Sequence, residues 1–270
     1  MWKWEADRPK GVIVMIHGAA EHHRRYKWLI ENWRCAGYNV IMGDLPGQGT
    51  STRRRGHIQS FNEYINELSL WLTEADKYDL PLFLLGHSMG GLIAIRALQE
   101  KEHKLAGVIL SSPCLGLIHK PNRALDVLSK GLNVVYPGLL MNSNLSIEMA
   151  TRNKSVIEID ENDPLYVTKV SVRWYRELLH AIDQANGKQH KFPDIPVLLM
   201  QGGDDKIVDK NAVKSWFNRL DATEKAYKEW KGFYHEIFNE PERDQVFKMA
   251  HAFAENHLPE LPKEEWSEST

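Results

Sequence analysis

Apolar positions along this chain are of two alternating kinds. The first is a short continuous run: Gly11-Val12-Ile13-Val14-Met15-Ile16, then Tyr38 to Met42, Leu82 to Leu85, Leu105 to Leu110, Val197 to Met200 and a weaker Tyr227 to Trp230. Short runs that are apolar throughout predict strands buried on both faces. The second kind is a stripe at helical spacing. Trp28, Leu29, Trp33 and Ala36 share one face and Gly37 ends it; Phe61, Ile65, Leu68 and Leu72 repeat in the same way; Gly90 to Leu98, Val213 to Leu220 and Val246 to Phe253 follow. Strands alternating with helices imply βαβ units with right-handed crossovers. The expected fold class is therefore α/β, a mostly parallel sheet flanked by helices.

Between Pro113 and Pro196 the alternation stops and helical patterns follow one another. Leu125, Leu128, Leu132 and Val135 form one stripe, ended by Pro137-Gly138; Val172, Tyr175, Leu179 and Ile182 form another. The pattern predicts an all-helical cap over residues 113–193, inserted before the fifth long strand. The core would then be residues 1–112 and 194–258, with 259–270 a flexible tail. An insertion at the carboxyl edge of the strands borders the usual ligand crevice of such sheets. The insertion reads as a cap over an active site, or as a helical elaboration with a structural role.

Composition narrows the classes. The 270 residues are 43% hydrophobic and 26% charged, which fits a soluble globular protein and excludes a disordered, fibrous or disulfide-stapled chain. With Lys+Arg at 34 and Asp+Glu at 36 there is no cationic footprint for nucleic acid. Two cysteines, Cys35 and Cys114, fit a reducing, cytoplasmic setting. No apolar run approaches the roughly 20 residues of a membrane span. Membrane contact is expected only as a transient touch of the cap on the inner membrane face. Oligomeric state is not legible.

The chemistry begins at Gly86-His87-Ser88-Met89-Gly90, between a buried strand and a helix. A serine on so tight a strand-to-helix turn needs small neighbours two residues away, and the helix start then faces a developing oxyanion. Ser88 is the expected nucleophile. It needs a base and an orienting acid, in chain order serine, acid, histidine. Gly202-Gly203-Asp204-Asp205 follows the Val197 run and offers two adjacent carboxylates. Asp205 is preferred because the glycine pair can present the residue beyond Asp204; Asp209 is a further candidate acid, but its later position reads as a helix N-cap. His235, in the loop after Tyr227 to Trp230, stands out among 12 histidines by position. The loop His17-Gly18-Ala19 and the residue after the nucleophile point to the backbone N–H groups of Ala19 and Met89 as the oxyanion hole. A metal site from His17, Glu21, His22 and His23 is a disfavoured rival, and neither metal nor cofactor is expected. Asp44 to Ser51 reads as structural support.

These residues carry a resemblance. His17 to His22, Asp44 to Ser51, Gly86 to Gly90, Gly202 to Asp209 and Gly232 to His235 are similar to the motifs of the α/β-hydrolase superfamily. The branch is that of monoacylglycerol lipases and lysophospholipases, which also groups serine aminopeptidase-like hydrolases. The resemblance spans about Gly11 to His257, includes Glu161 to Leu165 with Arg173-Trp174, and looks closest to small bacillus-type phospholipase-like members. It implies Asp205 as acid and Ala19 and Met89 as oxyanion donors; the chain departs from it in the short stretch before Gly11, where the family's leading antiparallel strands are expected to be reduced. The implied function is a serine hydrolase of single-chain lipid esters, monoacylglycerol or lysophospholipid. A general carboxylesterase or a peptidase/amidase with the same triad is the alternative, with a non-catalytic binding protein behind it.

Overall fold

The computed structural model describes residues 1–119, 123–143 and 145–259. Six of the seven strands of its main sheet are the apolar runs: β2 (Gly11–Ile16), β3 (Tyr38–Met42), β4 (Leu82–His87), β5 (Gly107–Ser111), β8 (Val197–Gly202) and β9 (Lys225–Trp230). A three-residue β1 (Trp2–Trp4) adds one antiparallel edge on β3, and every other pairing in this sheet is parallel. The order is β1-β3-β2-β4-β5-β8-β9.

Alternate side chains of each strand face opposite layers. Val12, Val14 and Ile16 pack with α2 (Asn62–Asp76), α3 (Met89–Glu100) and α7 (Lys210–Arg219). Ile13 and Met15 pack with α1 (Lys27–Cys35) and α8 (Arg243–Asn256). Both faces are thus dry, which is why the central runs carry no polar alternation.

The segment between β5 and β8 holds α4 (Arg123–Val135), β6 (Leu140–Asn142), α5 (Lys154–Glu161), β7 (Lys169–Ser171) and α6 (Val172–Gly187). It is not all-helical, as the pattern suggested. β6 and β7 pair antiparallel over three residues each, too short to leave a period in the sequence. The two helical stripes also differ. On α6, Val172 and Ile182 of the expected stripe are buried while Tyr175 and Leu179 are half-buried against the core shared with α3; Trp174 and Leu178, one position before these two, are buried in it. On α4, Leu125, Leu128 and Val135 are exposed, so that stripe is not core packing. The expected tail falls almost wholly outside the described residues.

Candidate active site

Three loops at the carboxyl ends of β4, β8 and β9 converge. Between β4 and α3, Ser88 takes φ 52° and ψ −118°, a backbone region that a side chain rarely occupies. Its neighbours make the turn feasible. A Cβ on Gly86 would meet the Gly90 carbonyl oxygen at 2.6 Å, and one on Gly90 would meet the Ile16 oxygen at 2.2 Å. The turn is pinned on both sides: Ser88 N–H donates to Ser111 O at 2.9 Å, and Cys114 N–H to Ser88 O at 3.0 Å.

After β8, Gly202 lies against the loop that follows β9; a Cβ there would sit 2.0 Å from the Tyr234 oxygen. Gly203 N–H donates to Trp230 O and Asp204 N–H to Phe233 O, at 2.8 and 2.9 Å. This register leaves Asp204 exposed and turns Asp205 inward. Asp205 Oδ1 accepts from the N–H groups of Ile207 and Val208, both at 2.9 Å. Its Oδ2 accepts from Gln201 Nε2 and faces His235 Nδ1, both at 2.8 Å. His235 Nε2 lies 2.8 Å from Ser88 Oγ. All three residues are buried.

The electrostatics follow from this geometry. Burial works against the His235 imidazolium, but the charge and hydrogen bond of Asp205 outweigh it and raise the histidine above its ordinary 6.5. Asp205 is held below the usual carboxylate value; its burial is offset by His235 and the two backbone donors. His87, inside the elbow, is driven down to about 3 by burial and is neutral.

The other residues singled out in the sequence have separate places. Met89 is the first residue of α3, so its N–H has no acceptor within the helix. Among the described loops, no backbone hydrogen bond uses the Ala19 N–H. His17 is buried and neutral; Nδ1–H donates to Gly18 O at 2.8 Å while Nε2 accepts from Leu45 N–H at 3.0 Å. His22 pairs with Asp163 and His23 with Asp44, so the histidines of this loop do not converge on a metal position. Asp44 also accepts from Thr50 N–H and so closes its own loop, while Asp209 caps α7.

One cluster at the site was not read from the sequence. Arg25 is buried, with its guanidinium on Glu21, Asp160 and Glu236. Glu236 follows His235; Asp160 belongs to α5; Glu21 faces the Gly18 N–H at 3.4 Å and accepts from Tyr26 O–H at 2.6 Å. Glu21, His87 and Glu236 bring ligand atoms within 4.8 Å of one another, but Arg25 already bridges the two carboxylates. Burial, with the Glu236 charge nearby, raises Glu21, whereas Arg25 holds Glu236 low despite its burial. The only local signal was the four-residue spacing of Glu21 and Arg25.

Comparison with known proteins agrees in extent and architecture. The family model described as serine aminopeptidase, S33 matches residues 7–242. Phospholipase YtpA of Bacillus subtilis (strain 168) is 61% identical over 259 residues, 96% of this chain and 100% of that protein. The human monoglyceride lipase is 30% identical over 88% of this chain and 79% of its own length. The crystal structure of Paleococcus ferrophilus monoacylglycerol lipase superposes with a TM-score of 0.85 at 30% identity, covering 95% of this chain and 98% of that one.

Proposed function

The chain belongs to the serine aminopeptidase, S33 family of α/β-hydrolases, and from that membership we propose that it cleaves single-chain lipid esters, monoacylglycerols or lysophospholipids, through an acyl-enzyme on Ser88. The protein is a lipid ester hydrolase, a class supported by the phospholipase and lipases among its relatives. The observation that carries the mechanism is the 2.8 Å contact of Ser88 Oγ with His235 Nε2, backed by the 2.8 Å contact of His235 Nδ1 with Asp205.

The Ser88 hydroxyl attacks the ester carbonyl carbon as His235 Nε2 removes its proton. Negative charge moves onto the carbonyl oxygen, which takes the N–H groups of Ala19 and Met89, each worth about 3 kcal/mol in the transition state. His235 returns the proton to the departing alcohol oxygen, leaving Ser88 acylated. A water then attacks the acyl carbon with His235 as base, and the fatty acid leaves. Asp205 fixes the imidazole tautomer throughout. No cofactor enters this sequence.

Residues 113–193 act as a cap in this reading. The outward side chains of Val127, Val134 and Val135 on α4 suit a helix that rests on a lipid surface. Among the described residues no helix is long and apolar enough to cross a membrane. The working location proposed is the cytoplasmic side, peripheral to the inner membrane face.

The test is hydrolysis of p-nitrophenyl esters from acetyl to palmitoyl, a monoacylglycerol, a lysophosphatidylcholine and an aminoacyl anilide, with Ser88→Ala as control. Preference for the single-chain lipids, abolished in Ser88→Ala, is expected. Cleavage of short esters alone would remove the lipid assignment, and preference for the anilide would replace it with peptidase chemistry.

A further inference from the structure

A groove of about 660 Å³ runs between α1, α5 and the start of α8, and neither Ser88, Asp205 nor His235 lines it. Its volume lies in the ordinary range for small-molecule sites, roughly 300–1,000 Å³. One wall is apolar: Trp28 on α1, with Val156 and Ile159 on α5. Ile159 is 67% exposed, an apolar side chain without cover.

The rest of the groove carries an unbalanced charge. Its three carboxylates are already engaged: Asp160 by Arg25, Asp163 by His22, and Glu31 by Arg34. Its cations Arg24, Lys27 and Arg243 pair with no carboxylate among the described residues. Arg24, in the 3-10 turn before α1, and Lys27 and Trp28, at the start of α1, line the groove together, and Arg243 lies over the Trp28 ring at 4.2 Å from its centroid. Burial pulls the Arg243 guanidinium below its ordinary value, against the opposing charge of its neighbour Asp244. Arg243 also opens α8, whose amino end is itself partially positive.

Cations that make no ion pair, beside an apolar wall, fit a ligand with an anionic head and a hydrocarbon chain. We propose that this groove is a second site, separate from the triad, that binds a long-chain fatty acid carboxylate. The carboxylate sits among Arg24, Lys27 and Arg243, and the chain lies along Trp28, Val156 and Ile159. That this anion is the acyl product of the protein's own reaction rests on the proposed function; the site itself does not.

The experiment is calorimetric titration of dodecanoate, below its micelle concentration, into the full-length Ser88→Ala protein. Saturable binding is expected, weakened about tenfold by the surface double substitution Arg24→Glu, Lys27→Glu. Ile159→Ser should weaken it about fivefold, and dodecanol should bind far more weakly than dodecanoate. No saturable binding would overturn the proposal. So would affinity unchanged in both variants, which would place dodecanoate in the acyl site beside residue 88. Equal binding of dodecanol, or tighter binding of dodecyl phosphate, would overturn the carboxylate assignment. Silence of the wild-type protein on the ester panel would strike the proposed reaction and leave this binding result standing.

Discussion

Replacing Asp205 by Asn tests the relay at the position where two adjacent carboxylates compete. The structure dictates how the new amide must sit. Asp205 Oδ1 accepts two backbone N–H groups, from Ile207 and Val208, at 2.9 Å each, so the amide oxygen must take that place. The NH2 group then points at His235 Nδ1, where Asp205 Oδ2 stood at 2.8 Å. It donates to Nδ1, forces the ring proton onto Nε2, and so presents an N–H to Ser88 Oγ, 2.8 Å away. The histidine is in place but in the wrong tautomer to act as a base. A loss of that kind costs about 10⁴ in turnover, or about 5.5 kcal/mol of transition-state stabilisation. The fold should survive, because the backbone donors keep their acceptor and Gln201, which now donates to Oδ2 and whose Oε1 has no partner, can turn its amide to accept from the new NH2. Asp204 is exposed and reaches the site only through its backbone N–H, so Asp204→Asn should change turnover by no more than about twofold. The assay is kcat/KM on p-nitrophenyl butyrate at pH 8, with thermal melts alongside. A tenfold or smaller loss in Asp205→Asn, or a larger loss in Asp204→Asn, would refute the reasoning.

Three further outcomes follow from the same geometry. Because Asp205 holds His235 above 6.5 against the effect of burial, kcat/KM should fall as pH drops through a midpoint above 6.5. A pH–rate profile with its acid limb below that value contradicts the pairing. The same elevation contributes stability that is present below the unfolded histidine value and fades as pH rises through the folded one. Gly90→Ala forces a Cβ to 2.2 Å from the Ile16 oxygen and 2.7 Å from the His17 oxygen, and should cost about 3 kcal/mol in denaturant unfolding. Arg25→Met strips the guanidinium from Asp160 and Glu236 and should cost about 3–5 kcal/mol at pH 8. That loss should shrink in mildly acidic buffer, because the abandoned carboxylates then bind protons.

The contrast between what the sequence disclosed and what it hid has a physical basis. Ser88 and Asp205 each follow a strand that reads as a buried run, and His235 follows the weaker run of the half-exposed edge strand β9. In a parallel sheet every such strand delivers its loop to the same edge, so chain order alone brings the three loops together. The glycines around Ser88 add a steric reason that is local and therefore legible. The choice between Asp204 and Asp205 was harder, because it depends on Gly202 packing against Tyr234, a contact between loops after different strands. The Arg25 cluster lay further out of reach. Its partners Asp160 and Glu236 stand 135 and 211 residues away, and each of these charges reads in isolation as a solvated surface group.

The helix α4 exposes the remaining gap in pattern reasoning. A helical apolar stripe reports that one face avoids water, but not what covers it. On α6 the same signal is answered by α3, and Trp174 and Leu178 are buried. On α4 it leaves much of the stripe uncovered: Leu128 and Val135 stand 56% and 69% exposed. The two stripes are equally regular, so periodicity cannot separate them. Their positions in the fold can, since α6 packs against α3 of the central sheet's helix layer while α4 packs on α6. An apolar face left outermost in that way fits a protein whose substrate arrives from a lipid surface rather than from water.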